Sequence, residues 1–217
     1  MTKRVKTGIK GFDEMVEGGL IKGSVTLVSG SPGTGKSIFA MQFINEGLKN
    51  GERCIYISVL SEKENQLLEE AKQFGFNLEK AKIVTPRPEE WGVALGELMK
   101  TIKPERLVID SVSAFTFADE GTLRRFMHEL ASHVKDDGNC TVIMTSELPR
   151  ESNFYSRDTV SEFVSDGLIT LSSLGLTGEI ARSLRIVKMR STKHDEDVHP
   201  IKITEKGMDV LPARKGI

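Results

Sequence analysis

The chain has 217 residues, with 30 Lys and Arg against 31 Asp and Glu and a formal charge of −1. That length suits one sizeable α/β domain with a well-buried core, and the balanced charge supplies no global field for nucleic acid or an anionic membrane. No apolar run approaches the roughly 20 residues that span a bilayer, and the opening Met1-Thr2-Lys3-Arg4 leads into no signal-type apolar stretch, so a soluble, cytoplasmic protein is expected.

Residues 24–29 read as a buried strand. Directly after it, Gly30-Ser31-Pro32-Gly33-Thr34-Gly35-Lys36-Ser37 fits G-x-x-x-x-G-K-[ST] at every fixed position. A helix is predicted over about 36–49, then a short buried strand over 54–58. Leu67, Leu68, Ala71 and Phe74 give one apolar helical face that closes at Gly75, a common residue type after a helix end. Strand 83–85 and helix 89–102 follow, the helix stopped ahead of Pro104. Residues 107–110 form a strand that ends in a carboxylate, Asp110. Leu123, Phe126, Met127, Leu130, Ala131 and Val134 recur with helical spacing, and 141–145 is another apolar strand.

The pattern changes at residues 149–161, which are polar and without period and read as a surface loop. Segments 167–171, 183–190, 201–203 and 208–211 read as strands joined by hairpins. Their links are too short for crossover helices, so they are expected to extend the sheet antiparallel. The tail 213–217 is expected to fray. Alternating strands and helices predict an α/β fold, mostly parallel, with helices on both faces. No repeat or linker divides the chain, so 1–217 reads as one domain. Cys54 and Cys140 sit in apolar runs and read as reduced core thiols. His128, His133, His194 and His199 have no metal-ligand spacing. Trp91 reads as packing.

The chemistry follows from the loop. Gly30, Gly33 and Gly35 lack a Cβ, so the backbone can bend tightly and aim successive N–H groups at phosphate oxygens, which makes Ser31, Pro32, Gly33, Thr34, Gly35, Lys36 and Ser37 the expected nucleotide-binding residues. The next helix points its positive dipole end at the same anion. Lys36 adds a charge for the β- and γ-phosphates, and the Ser37 hydroxyl is a hard ligand for Mg²⁺. Asp110 at a strand end is the natural metal-side carboxylate, because ligands of open parallel sheets lie beyond the carboxyl ends. Hydrolysis also needs a group that orients water. The end of the second strand should lie close to the loop, and Glu62 there is the candidate; on residue type alone, a solvent-facing acid at a helix start is the competing reading.

Further motifs carry a resemblance. Thr7-Gly8-Ile9-Lys10-Gly11-Phe12-Asp13, then Gly18-Gly19-Leu20, precede the loop as in RecA-superfamily ATPases. Arg106 to Val112, Glu162-Phe163-Val164-Ser165-Asp166 and Leu184 to Arg190 resemble single-domain relatives of the circadian clock ATPase KaiC, over nearly the whole chain. The resemblance implies a RecA-like core, ATP or ADP with Mg²⁺, and a hexameric ring with nucleotide at subunit interfaces. It also implies that Lys188 and Arg190 reach the neighbour's phosphates; by residue type alone they are strand-end charges. One departure stands out. Where the family has paired acids after the second strand, alignment back from Ala71 and Phe74-Gly75 gives Leu60-Ser61-Glu62, which bears on hydrolysis and not on binding.

Three functions compete. The first is an ATPase whose turnover drives a ring. The second is an ATP-binding signalling or scaffold module that acts through an unknown protein partner. The third is DNA handling by the loop around Arg150, Phe154, Tyr155 and Arg157, against which the charge balance and the lack of an aromatic–basic stacking cluster argue.

Overall fold

A computed structural model describes residues 2–59, 64–86, 91–117, 120–148, 154–176 and 179–213. Along the chain run β1 (Arg4–Val5), α1 (Phe12–Met15), β2 (Leu20–Ile21), β3 (Val25–Gly30) and α2 (Lys36–Lys49). Next come β4 (Cys54–Ser58), α3 (Glu64–Gln73), β5 (Lys82–Val84), α4 (Trp91–Ile102) and β6 (Arg106–Asp110). A 3₁₀ turn over Val112–Phe117 leads to α5 (Glu120–Asp137), β7 (Thr141–Glu147), α6 (Ser161–Val164), β8 (Gly167–Leu176), β9 (Glu179–Met189), β10 (Val198–Thr204) and β11 (Gly207–Val210).

Nine of these strands form one sheet, ordered β11-β10-β9-β8-β3-β7-β6-β4-β5. The six from β5 to β8 run parallel, as their pairings show. The strands β9, β10 and β11 continue antiparallel. The small β1–β2 pair, each only two residues long, forms a separate sheet.

Burial on both faces explains the nearly continuous apolar strands. On one face Val28, Tyr56, Val108 and Ile143 pack with Phe39, Phe43 and Ile44 of α2 and Leu67 and Ala71 of α3. On the other, Leu27, Ile57, Leu107, Ile109 and Val142 pack with Leu95 and Met99 of α4 and with Leu123, Met127, Leu130 and Val134 of α5. Alternate residues of each strand therefore enter different cores. Burial pushes the Cys54 and Cys140 thiols up to about 12, as suits inert core cysteines.

Two expectations are corrected. The antiparallel extension begins at β9, one strand later than the hairpin reading gives. β8 lies parallel beside β3, because the stretch between β7 and β8 is long enough to return the chain to the opposite edge. The end of the second predicted strand, β4, is also not next to the phosphate-loop strand, since β6 and β7 lie between them.

A buried ion pair closes the amino-terminal edge of the sheet. Arg106, 1% exposed, holds Glu52 at 2.5 Å, donates to the carbonyls of Lys6 at 2.8 Å and Phe43 at 2.7 Å, and lies 4.5 Å from the Phe43 ring centre. Removing one member of a buried pair leaves the other uncompensated. Because Glu52 keeps some contact with water, Arg106→Ala is expected to lower unfolding free energy by about 3 kcal/mol, at the low end for such losses. A urea midpoint shift at unchanged slope measures it.

Candidate functional site

The phosphate loop occupies the turn from β3 into α2. Gly33 (φ 77°) and Gly35 (φ 104°) take left-handed backbone conformations, which glycine adopts without a Cβ penalty. At Gly35 a Cβ would also stand 2.8 Å from the Met208 methyl of β11. Among the described residues no side chain caps the start of α2, whose preceding residue is Gly35 itself. The first amides of that helix are thus left for an anion. Thr34, fully buried, ties the loop by donating its hydroxyl to the Ser31 carbonyl at 2.8 Å. Lys36 donates to the carbonyls of Gly30 at 2.9 Å and Ser31 at 3.1 Å. Burial pulls its ammonium below the usual lysine range, and the charges of Asp110 and Glu147 oppose that shift. Ser31, Pro32, Gly33 and Ser37 line the outer, partly exposed side of the loop.

Asp110 ends β6 at the same carboxyl edge of the sheet, with β7 between it and the loop strand. Its carboxylate accepts the Tyr56 hydroxyl at 2.6 Å and the Thr145 hydroxyl. The donor set fits a magnesium nucleotide: an uncapped helix start, an ammonium, one hydroxyl at Ser37 and a carboxylate are the chemistry that phosphate and a hard cation need. Among the described residues, no group of three or more His, Cys, Asp or Glu gathers as a separate metal site.

Ser61, Glu62 and Arg150 lie outside the described residues. The last described residue before the 60–63 segment, Val59, donates its N–H to the Asp110 carbonyl at 2.8 Å. The chain therefore leaves β4 beside Asp110. Phe154 and Tyr155 are exposed, and Arg157 pairs with Glu147 at 3.5 Å.

Lys188 and Arg190 are not brought to the phosphate loop of this chain. β9 runs antiparallel to β8, so these residues fall at the amino-terminal edge, opposite Leu168 and next to Gly167. Lys188 donates to the Glu162 carbonyl at 2.7 Å, and Arg190 pairs with Asp166 at 3.4 Å and donates to the Phe163 carbonyl at 3.4 Å. Burial, then the neighbouring Arg190, lowers the Lys188 ammonium from its usual range.

Two residues at the loop escape sequence reasoning. Arg182 of β9 donates its Nε to the Gly33 carbonyl at 3.1 Å. Nothing along the chain marks this contact, which depends on how β8 and β9 lie beside β3. Glu147 stands opposite Gly30 in the β3–β7 register, and its N–H donates to the Ser113 hydroxyl at 2.7 Å. Its signal was available: like Asp110, it is an acid at the end of an apolar strand.

Comparisons with known proteins agree on one family. A family model described as "ATPase: KaiC" matches residues 5–215. The UPF0273 protein of Thermotoga maritima is 33% identical over 242 residues, covering 100% of this chain and 99% of the relative. The circadian clock oscillator protein KaiC of Parathermosynechococcus lividus is 34% identical over 95% of this chain, which spans 42% of that longer protein. Among solved structures, a KaiC-like protein from Pyrococcus horikoshii matches with TM-score 0.86 and 33% identity, over 98% of this chain and 100% of that one.

Proposed function

This chain belongs to the KaiC ATPase family and is a P-loop nucleotide-binding protein, and from that premise we propose that it hydrolyses ATP slowly, with Mg²⁺, at the interfaces of a hexameric ring. The amides of Gly33 to Ser37 would hold the phosphates, and Lys36 would turn from the Gly30 and Ser31 carbonyls to meet them. Ser37 and Asp110 are the oxygen donors suited to magnesium, which would neutralise phosphate charge when bound. Glu62 would orient or deprotonate water. In trans, Lys188 and Arg190 would stabilise the charge of the transferring phosphoryl group.

One observation carries the ring. The loop and the Lys188–Arg190 pair occupy opposite edges of the same sheet, about 20 Å apart along a six-residue strand. A subunit with phosphate-binding groups at one edge and phosphate-stabilising cations at the other suits head-to-tail contact, which closes into a ring when the rotation permits. Mass measurement in solution, with and without ATP, tests assembly. A protein that stays monomeric at saturating ATP rejects it.

Hydrolysis has its own test in steady-state phosphate release. Glu62→Gln should cut the rate about 10²-fold while a fluorescent ATP analogue still binds. Ser61→Glu should raise the rate by restoring paired acids. If neither substitution moves the rate, water is positioned from elsewhere. Ser61 also favours a second reading, an ATP-binding module that turns over little and signals through a protein partner. Phosphate release at background level in the assembled wild-type protein would select that reading.

A further inference from the structure

Three neighbouring strands converge on the Asp110 carboxylate. β6 ends in it; β4 flanks it on one side, where Ser58 pairs with Asp110, and β7 on the other, where Met144 pairs with Ile109. Alternation along each strand puts Tyr56, Asp110 and Thr145 on one sheet face, the face of Val108 and Ile143 that packs against α2. That helix begins with Lys36 and Ser37. Tyr56 and Thr145 are both fully buried. From opposite sides, the Tyr56 hydroxyl donates to Oδ2 at 2.6 Å and the Thr145 hydroxyl donates to Oδ1.

Each ionised carboxylate oxygen has two lone-pair sites. One donor per oxygen leaves the second site of each for a cation or its water. A strand-end aspartate without such partners turns broadly about its terminal torsion. Two donors, one on each oxygen, fix the plane of the carboxylate and so the directions of its remaining lone pairs. The donors are rigid because their own side chains are locked in the core. We infer that Tyr56 and Thr145 are positioning residues, which set the Asp110 carboxylate for a divalent cation at the phosphate loop. The inference rests on the reading of Asp110 as the metal-side acid.

Removing a partner that orients a metal-binding side chain typically costs about 10–100-fold in metal affinity. The test is a Mg²⁺ titration of a fluorescent ADP analogue bound to wild type, Tyr56→Phe, Thr145→Val, Asp110→Asn and the double variant Tyr56→Phe/Asp110→Asn. Melting curves report that each is folded. The expected result is that Tyr56→Phe and Thr145→Val each raise the Mg²⁺ concentration for half-maximal enhancement about tenfold or more. The double variant should be no weaker than Asp110→Asn alone, because a positioning residue has nothing left to position. Should Tyr56→Phe fail to fold, Thr145→Val carries the same comparison on the other oxygen.

Two different failures are separable. If Asp110→Asn loses magnesium dependence while Tyr56→Phe and Thr145→Val titrate as wild type, the positioning role is overturned and the reading of Asp110 stands. If Asp110→Asn titrates as wild type, both are overturned. A double variant weaker by the product of the two single losses also overturns the inference, since Tyr56 would then act independently of Asp110.

Discussion

Lys36→Ala is expected to weaken ATP binding by about two to three orders of magnitude, the fold-change that follows from losing one partner of a buried charged contact. The lysine is the loop's own cation, already desolvated, and its ammonium is bonded to the Gly30 and Ser31 carbonyls of the loop, from which it would turn to the phosphate oxygens. A desolvated ammonium interacts more strongly with an anion than a solvated one does. Alanine also removes the side chain that bridges those two carbonyls, so melting of the variant belongs beside its titration. A fluorescent ATP analogue that binds the folded variant as tightly as wild type would move the nucleotide away from this loop.

Arg190→Ala is expected to lower turnover by about 10³-fold, the low end of the effect of arginines supplied to a phosphoryl group in trans. The fold should tolerate it: the Arg190 side chain is half exposed at 53%, and Asp166 retains Lys135 at 3.2 Å and the Val25 N–H at 3.1 Å. The distinguishing measurement is a mixture with Lys36→Ala subunits. Each variant alone should be inactive, while mixed rings regain activity at interfaces that pair an intact loop with an intact Arg190. Activity that only tracks the fraction of unaltered subunits would overturn the trans role.

What could be read along the chain was whatever is local. The loop declares itself because its residue types sit at fixed spacing, and α5 does so because Leu123, Met127, Leu130 and Val134 repeat with the helix. The fold class followed from alternation of such segments. Lateral order is different: β3 lies between β7 and β8, whose residues are more than a hundred positions away, and no local pattern encodes that choice. The β8 strand looked like the first arm of a hairpin, which it is on its β9 side; its parallel pairing with β3 was invisible. The same limit hid Arg182 on the Gly33 carbonyl and Tyr56 on Asp110, contacts spanning 149 and 54 positions of sequence. The strands β1 and β2 are too short to show a period at all.

Asp166 ties the start of β3 to Arg190. It accepts the N–H of Val25, the first residue of β3, and it pairs with Arg190. The last residue of that same strand, Gly30, opens the phosphate loop. In a closed ring one stiff strand would then link the occupancy of a subunit's own loop to the aim of the arginine it lends to the next. Filling one site would tune its neighbour in a single rotational sense, so nucleotide turnover should depend sigmoidally on ATP, with a Hill coefficient above one that falls toward one when Asp166 is replaced by Asn.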